Sequence, residues 1–286
     1  MKSKLGNCIA ISFVLLMVTA CGGGGGGSGA SVATLTATPV QYSRTMAVTV
    51  FGTGLLSTTV DMIVEGPCST VSRTAGGTDL QQQYTCTING LGDLIPRIRT
   101  ADGVELASMR LNVPLPQVTM TVTQGARTGT YVLELDPVAA PVTVNNFLTY
   151  LNLGYYKSTL FHRVVPNFVV QAGGYIAGPT VKPAILPAIV SEAGNGLKNL
   201  RGTVAMARTS DANSATSQFF INLVDNPDLD FGSSANAAGY TVFGKVVSGQ
   251  DVVDEIGKVP TTTDVVSGLA NLPVTNVVIT AASQTK

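Results

Sequence analysis

Short runs of alternating apolar and polar residues extend through most of the chain after its N-terminal segment. The runs "MAVTVFG", "VDMIVEG", "MRLNVPL" and "VTMTVT" are examples, and glycine, proline, aspartate and asparagine separate them. A period of two places every second side chain on the same face of a β-strand, so that one face can be buried while the other meets water. This pattern restricts the chain to a mainly β fold.

Two segments break the alternation and predict helices. The apolar residues of the first follow the spacing i, i+3, i+4 and i+7: Val144, Phe147, Leu148 and Leu151. Pro141 stands near its start and Gly154 just past its end, where these residue types favour helix termini. A second, shorter helix is predicted around Gln250 to Ile256. Together with the strands around them, these helices predict a β-barrel or rolled sheet flanked by two helices.

Composition excludes one broad class of partner. The chain has 286 residues, of which 45% are hydrophobic, enough for two ordinary domains with real cores. Lysine plus arginine and aspartate plus glutamate number 17 each, and charged residues make up only 12% of the chain. A balanced, low charge offers no basic surface for a polyanion, so nucleic acid is not an expected partner.

The N-terminus has the pattern of an export signal. Lys2 and Lys4 precede the apolar residues 9–18, and small residues follow this run. The run is too short for a membrane-spanning helix. The letters "VTAC" resemble a bacterial lipobox, in which cleavage leaves a lipidated cysteine as the first residue, so we predict a signal peptide at residues 1–20 and lipidation of Cys21. An ordinary signal-peptidase site with Cys21 incidental is the alternative.

Six glycines, residues 22–27, follow this cysteine. With almost no side chains to bury, they predict a flexible tether over residues 21–31. The run contains the G-x-G-x-x-G pattern of dinucleotide-binding proteins. No predicted strand precedes it and no predicted helix follows it, so the structural context of that motif is missing and we reject a dinucleotide site.

Residues 32–116 contain a series of predicted strands and predict a small β-sandwich of unknown function. Cys68 and Cys86 are the two cysteines left once Cys8 and Cys21 are assigned to the N-terminal segment. In an exported protein such a pair most simply forms a disulfide. The sandwich could be immunoglobulin-like, although the chain has no tryptophan for an immunoglobulin core. The prolines of "VPLPQ" predict a stiff boundary before a second domain at residues 117–286.

The stretch "FHRVVPNFVVQAGG" contains the only histidine, His162, beside Arg163. A hydrolase would need a nucleophile paired with this imidazole, but the chain has no G-x-S-x-G elbow, and its two mature cysteines are assigned to a disulfide. A metal site would need companion ligands, and the sequence has no H-E-x-x-H or Cys/His cluster. We therefore predict no metal and no cofactor, and a partly buried or rim position for His162.

Four motifs, in order and in spacing, resemble the signature of the cyclophilin-type peptidyl-prolyl isomerases. They are "FHRVVPNFVVQAGG", "GTVAMART", "SATSQFFINL" and "YTVFGKVVSGQDVVDEI", and the resemblance runs from Val118 to about Ala282. The wording "MART…ATSQFFIN" is most similar to that of the bacterial exported cyclophilins. The resemblance implies a closed eight-stranded β-barrel capped by two helices, and an enzyme that isomerises X-Pro bonds.

Isomerisation of an X-Pro bond makes a limited chemical demand. The amide rotates against a barrier of about 18–20 kcal/mol because the nitrogen lone pair is shared with the carbonyl, and no covalent step is required. A catalyst must bind the twisted amide better than the planar one, which calls for a fixed cationic donor near the prolyl nitrogen and a dry pocket for the ring. Arginine suits this task, because its guanidinium stays protonated and presents donors in one plane.

The resemblance assigns roles to individual residues. Arg163 matches the family's catalytic arginine, and Phe168 and Gln171 are placed with it in the catalytic group. The positions that match the family's proline pocket, peptide-backbone contacts and groove lining are Val169, Ala207, Arg208, Gln218, Phe220, Leu229 and Tyr240. Arg208 and Ala207 are expected to line the groove through stem and backbone contacts. Without the resemblance, the apolar members would be interpreted as core residues.

Four positions depart from common family members. Tyr240 stands in place of histidine and keeps an aromatic wall with a polar tip. Val169 replaces methionine, and Asp228 replaces tryptophan or another aromatic residue, so apolar contact for a large macrocycle is reduced and weak cyclosporin binding is expected. Ala172 replaces a glycine, which matters only if that backbone requires a positive φ.

The sequence therefore predicts an isomerase that assists folding of exported proteins, with their proline-containing segments as partners. We expect it in the bacterial cell envelope, lipid-anchored to the outer membrane and facing the periplasm. One alternative is a non-catalytic proline-binding chaperone or adhesin module. Another is a purely structural surface lipoprotein, supported only by the tether and the first domain.

Overall fold

The computed structural model describes residues 18–19 and 29–286. Most of the predicted signal peptide, Cys21 and the six glycines lie outside the described residues. The chain divides into two compact units, Met1–Pro114 and Leu115–Lys286. This division falls close to the boundary that the two prolines of "VPLPQ" predict.

The first unit consists of two antiparallel sheets. Its strands are β1 (Val18–Thr19), β2 (Ser31–Ala37), β3 (Thr45–Thr53), β4 (Val60–Glu65), β5 (Cys68–Arg73), β6 (Gln81–Ile88), β7 (Gly92–Thr100), β8 (Glu105–Ser108) and β9 (Leu111–Val113). One sheet has the order β1-β2-β3-β6-β5, and the other has the order β4-β7-β8 with β9 also paired to β7. The order β2-β3-β6-β5 against β4-β7-β8 matches the A-B-E-D and C-F-G sheets of a constant-type immunoglobulin sandwich.

The alternating residues of the two sheets form the core of this unit. Met46, Val48 and Val50 of β3 are fully buried. The buried hydroxyl of Tyr84 on β6 donates a hydrogen bond to the carbonyl of Val60 on β4 at 2.6 Å and so joins the sheets. A hydroxyl buried at such a contact needs a partner, and this bond supplies it.

A disulfide joins Cys68 of β5 to Cys86 of β6, with the Cα atoms 5.9 Å apart. The two strands are neighbours in one sheet. The bond therefore reinforces a strand pair, whereas the disulfide of antibody domains crosses between the two sheets.

The second unit contains the two helices and the remaining strands. Its elements are β10 (Gln117–Gln124), β11 (Arg127–Leu135), α1 (Pro141–Asn152), β12 (Thr159–Val165), β13 (Val169–Ile176), β14 (Thr180–Val181), β15 (Thr203–Met206), β16 (Phe219–Asn222), β17 (Val242–Ser248), α2 (Gln250–Ile256), β18 (Thr261–Thr262), β19 (Leu272–Pro273) and β20 (Val277–Gln284). A single 3-10 turn, Pro227–Leu229, lies between β16 and β17.

Eight of these strands close into an antiparallel barrel. The order is β12-β20-β10-β11-β17-β15-β16-β13, and β13 pairs back with β12. Closure removes free edges, which would otherwise present unpaired backbone groups. The predicted mainly β fold, with a closed eight-stranded barrel and two helices, is confirmed.

Helix α1 obtains its N-terminal cap from a distant loop. The carboxylate of Glu192 accepts hydrogen bonds from the backbone N–H groups of Val142 at 3.0 Å and Thr143 at 2.8 Å. The first N–H groups of a helix have no partner inside the helix, and a negative charge at this end interacts favourably with the helix dipole.

Among the described residues, neither helix has the length and apolar character that a membrane span requires.

Candidate active site

A row of side chains crosses five neighbouring strands of the barrel. Arg163 on β12 is paired with Gln171 on β13, and Gln171 is paired with Phe220 on β16. Phe220 is paired in turn with Ala205 on β15, and Ala205 with Val242 on β17. Residues directly opposite on adjacent strands project from the same face of a sheet. The register therefore brings four separate sequence motifs into one line.

This row lies on the outer face of the barrel. Phe219, which precedes Phe220 in β16, is fully buried, and its ring packs edge-on against Phe147 of α1 with the centroids 5.6 Å apart. Successive side chains of a strand point to opposite faces, so Phe220 is directed away from the interior that Phe219 fills.

An apolar cluster, which we call the pocket, surrounds the middle of the row. Its buried members are Val169, Ala205, Phe220 and Val242, and the partly buried residues packed against them are Phe168, Leu197, Ala207, Leu229 and Tyr240. The rings of Phe220 and Tyr240 meet edge to face, with centroids 5.5 Å apart at 84°. A dry pocket with aromatic walls can hold a small apolar ring.

The sequence identified most of this pocket and missed three members. The cluster brings together six predicted positions: Phe168, Val169, Ala207, Phe220, Leu229 and Tyr240. Ala205 and Val242 lie inside two of the recognised motifs, and the strand register was the missing information. Leu197 lies in a segment with neither a strand nor a helix, so no periodicity marks it.

The arginine of the row stands at the end of the pocket. Arg163 is partly exposed, and its guanidinium carbon lies 5.7 Å from the centroid of the Phe168 ring. Phe168 follows the turn between β12 and β13, where Asn167 has a φ of 57°. Asparagine adopts this left-handed conformation more readily than most residues. The hairpin of β12 and β13 thus places a cationic donor beside an aromatic ring.

Two glutamines form a polar pair next to the arginine. The side-chain amide of Gln171 donates to Oε1 of Gln218 at 3.0 Å. Gly174 leaves room for this pair, since a Cβ at that position would stand 2.4 Å from Cδ of Gln218. The backbone N–H of Ala207 donates to the carbonyl of Gln218 at 2.9 Å. The positive φ of this region belongs to Gly173, at 88°, and Ala172 is free of that requirement.

A hydrogen-bond network of three buried asparagines holds the turn at Phe168 in place. The amide of Asn226 donates to the carbonyl of Phe168 at 3.1 Å and to Oδ1 of Asn222 at 2.8 Å. Asn222 donates to Asn199, whose backbone N–H is bound by the carboxylate of Asp230 at 2.7 Å. The sequence did not point to this network, because its members are far apart along the chain.

His162 is more buried than the rim position that we expected. Only 3% of it is exposed, and its ring lies 4.5 Å from that of Tyr175. Burial lowers the pKa of His162 to about 4, and hydrogen bonding to Leu160 and Gln218 opposes this effect only in part. The imidazole is therefore neutral at neutral pH and is not poised to exchange protons there.

We predict a specific pH signature for His162. The unfolded chain protonates this residue near pH 6.5 and the folded protein only near 4. The unfolded state binds more protons between these values, so the free energy of unfolding should fall by about 3 kcal/mol as the pH drops through this window. In His162→Gln this component should be absent, and kcat/KM of both proteins should be flat between about pH 6 and 8. Urea unfolding at about pH 7 and 4.5 tests the change in stability, and rate measurements between about pH 6 and 8 test the flat profile of kcat/KM. A rate that follows an imidazole titration would contradict the flat profile.

Metal ligands are not gathered anywhere in the part of the chain that the structure describes. No group of three or more His, Cys, Asp or Glu residues there could hold an ion. The described site consists instead of an apolar pocket, one guanidinium and an amide pair on a closed β-barrel.

Comparison with known proteins identifies the family. The model of the cyclophilin type peptidyl-prolyl cis-trans isomerase family matches residues 118–284, more than half of the chain. Peptidyl-prolyl cis-trans isomerase A of Dickeya dadantii is 54% identical over 128 residues, which cover 45% of this chain and 66% of that protein. Peptidyl-prolyl cis-trans isomerase B of Escherichia coli is 52% identical over 129 residues, covering 45% of this chain and 78% of that protein.

A third relative, the isomerase cyp18 of Streptomyces antibioticus, is 50% identical over 137 residues, which cover 48% of this chain and 82% of that protein. The crystal structure of a Cryptosporidium parvum cyclophilin type isomerase with the dipeptide Ala-Pro is 24% identical, with a TM-score of 0.49, and covers 59% of this chain and 99% of that one. The chain belongs to the cyclophilin-type peptidyl-prolyl cis-trans isomerase family. Its enzyme class is accordingly peptidyl-prolyl cis-trans isomerase.

Proposed function

We propose that the chain is an envelope-anchored prolyl isomerase that accelerates X-Pro rotation in exported proteins and so assists their folding. The cross-strand row from Arg163 to Val242 is the observation that supports a site of this kind. In this proposal the row supplies a permanent cation beside a dry pocket, the two elements that this reaction requires.

The proline ring of the substrate packs against the wall that Phe220 and Tyr240 form together, with Val169 and Leu229 as further walls. Burial of the ring fixes the prolyl side of the bond while the residue before it remains free to turn. The preceding carbonyl can then rotate with little obstruction. The pocket therefore binds both isomers and acts as the stationary part of the mechanism.

Arg163 acts on the amide while it is twisted. As the bond leaves planarity, the nitrogen regains its lone pair and becomes a hydrogen-bond acceptor, which it is not in the planar ground state. A guanidinium donor aimed at this nitrogen stabilises the transition state more than the substrate, and this difference lowers the barrier. Gln171 and Gln218 bind the backbone of the peptide and orient it toward Arg163.

The experiment that tests this proposal divides the protein at the boundary between its units. The fragment 115–286 contains every residue of the row and forms one of the two compact units. It should retain the activity of the full chain, because the first unit supplies none of the site residues. Exchange spectroscopy on a short X-Pro peptide measures both proteins. A folded fragment that accelerates exchange no more than buffer does would remove the main support for the proposal.

Anchoring is expected to depend on Cys21. Replacement of its thiol in Cys21→Ser removes the acceptor of the lipid, so the protein should leave the membrane fraction or remain unprocessed. Fractionation and intact mass of the wild type and the variant measure this. An N-terminus without acyl mass and unchanged fractionation would favour a secreted protein.

Cyclosporin binding is expected to be weak in this enzyme. Asp228 is exposed where many relatives carry an aromatic residue, and the smaller Val169 lines the pocket in place of methionine. Both changes reduce apolar contact with a macrocycle without removing the site for proline. The cyclosporin concentration that halves turnover measures this effect.

A further inference from the structure

The guanidinium of Arg208 is occupied by the protein itself. Its Nε donates to the carbonyl of Gly239, its Nη1 to the carbonyl of Thr209 and its Nη2 to Oδ1 of Asn236, each at 2.9 Å. All three nitrogens therefore have protein acceptors. Three of its five N–H donors are used within the protein, so the guanidinium is held in place as a structural element.

The same guanidinium covers one aromatic wall of the pocket. Its central carbon lies 4.5 Å from the ring centroid of Tyr240, which is a cation–π distance. Tyr240 meets the ring of Phe220 edge to face. The backbone N–H of Tyr240 donates to the carbonyl of Leu229 at 2.9 Å, so these two pocket residues are directly hydrogen-bonded.

The backbone hydrogen bonds of the loop before Tyr240, residues 231–239, are mainly formed within the loop. The N–H of Gly232 donates to the carbonyl of Ala237, and that of Gly239 donates to the carbonyl of Asn236, each at 3.0 Å. Phe231 is 56% exposed. Arg208 binds this loop at both Asn236 and Gly239 and connects it to the segment that follows β15. Such a link limits how far the loop and Tyr240 can swing outward.

We propose that Arg208 is a positioning residue that holds Tyr240 against Phe220 and thereby sets the width of the substrate pocket. This inference rests on the proposed role of that pocket as the proline site. Arg208 acts through Tyr240 and does not contact the rotating amide. Its loss should weaken binding of both planar isomers and of the twisted state about equally, which changes KM and leaves kcat almost unaltered.

The test uses the full chain with Arg208→Ala, Arg208→Lys and Asn236→Ala. Arg201→Ala is the matched control, because Arg201 is an exposed arginine whose guanidinium pairs with Asp254 of α2 and which is not among the residues of the pocket. Exchange spectroscopy with an X-Pro peptide supplies KM and kcat. Hydrogen exchange of the amides of residues 231–240, without any peptide, reports on the loop independently of activity.

Arg208→Ala should raise KM about three- to tenfold, change kcat by less than about twofold and accelerate exchange in the loop. Arg208→Lys should show nearly the same loss, since one ammonium cannot satisfy three separated acceptors and stack on the ring. Asn236→Ala should give a smaller change in the same direction while it retains the stacking. This variant also provides the test if replacement of Arg208 prevents folding.

Several outcomes would overturn the proposal. A higher KM with unchanged loop exchange would mean that Arg208 contacts the peptide directly, and a lower kcat at constant KM would make it a catalytic residue. Full rescue by lysine would reduce the role to that of a point charge. If the wild type shows no turnover, the isomerase assignment fails, whereas faster loop exchange in Arg208→Ala would still show that Arg208 restrains this wall.

Discussion

Arg163→Ala should lower kcat/KM for an X-Pro peptide by roughly 10²-fold or more, the effect of removing one preorganised electrostatic donor. The loss should fall mainly on kcat, because the guanidinium interacts with the prolyl nitrogen only after the amide has twisted. The pocket for the ring is unaltered by this change, so peptide binding should persist. Exchange spectroscopy separates the rate on the enzyme from the affinity.

Arg163→Lys should restore little of this activity, since a single ammonium cannot reproduce a planar pair of donors. Arg201→Ala should retain full activity and controls for the loss of one positive charge. These variants also distinguish the enzyme from a proline-binding chaperone or adhesin module. A pure binding module would show no turnover in the wild type and no need for Arg163. If Arg163→Ala is tolerated while His162→Gln abolishes turnover, the roles assigned to the two neighbours are wrong.

Much of the second unit could be predicted from local sequence because its elements carry strong local signals. Alternation marked strands such as β10, and Pro141 with Gly154 bracketed helix α1, which the structure places at Pro141–Asn152. The cap of that helix could not be predicted. Glu192 reaches Val142 and Thr143 from a loop without periodicity, and nothing near the helix in sequence indicates it.

The assembly of the site depended on strand register, which local patterns do not contain. The pairing of β12 with β13 includes two register shifts, around Phe161 and before Arg163. A shift of one residue exchanges the two faces of a strand, so alternation alone could not place Arg163 in the same row as Phe220. The family resemblance supplied these residues, and the structure supplied the row that joins them to Ala205 and Val242.

In the first unit, too, local sequence could not predict how the strands are arranged. Counting cysteines was enough to pair Cys68 with Cys86, since no other thiol remained in that domain. The order of the strands, and with it the placement of this disulfide within one sheet, depends on contacts between distant segments. The burial pattern of β5, with one partly buried and five exposed residues, carries no alternation that would indicate which sheet it joins.

Phe220→Ala should produce the other large effect, a fall in kcat/KM of about 10- to 10²-fold that appears mainly as a higher KM. The ring of Phe220 is only 4% exposed and forms the centre of the apolar pocket. Its loss removes the apolar wall against which the proline ring would pack, a contribution of about 1.5–3 kcal/mol to binding. It also leaves Tyr240 without its edge-to-face partner.

The control for this change is the neighbouring residue on the opposite face of the same strand. Phe219→Leu reduces a ring that is fully buried inside the barrel, and it should lower the free energy of unfolding without touching the pocket. Its kcat/KM, measured where the protein remains folded, should therefore stay close to that of the wild type. If Phe219→Leu impairs KM as strongly as Phe220→Ala, loss of activity reflects general loosening of the barrel. If only Phe220→Ala does so, the specific wall that Phe220 and Tyr240 form binds the substrate.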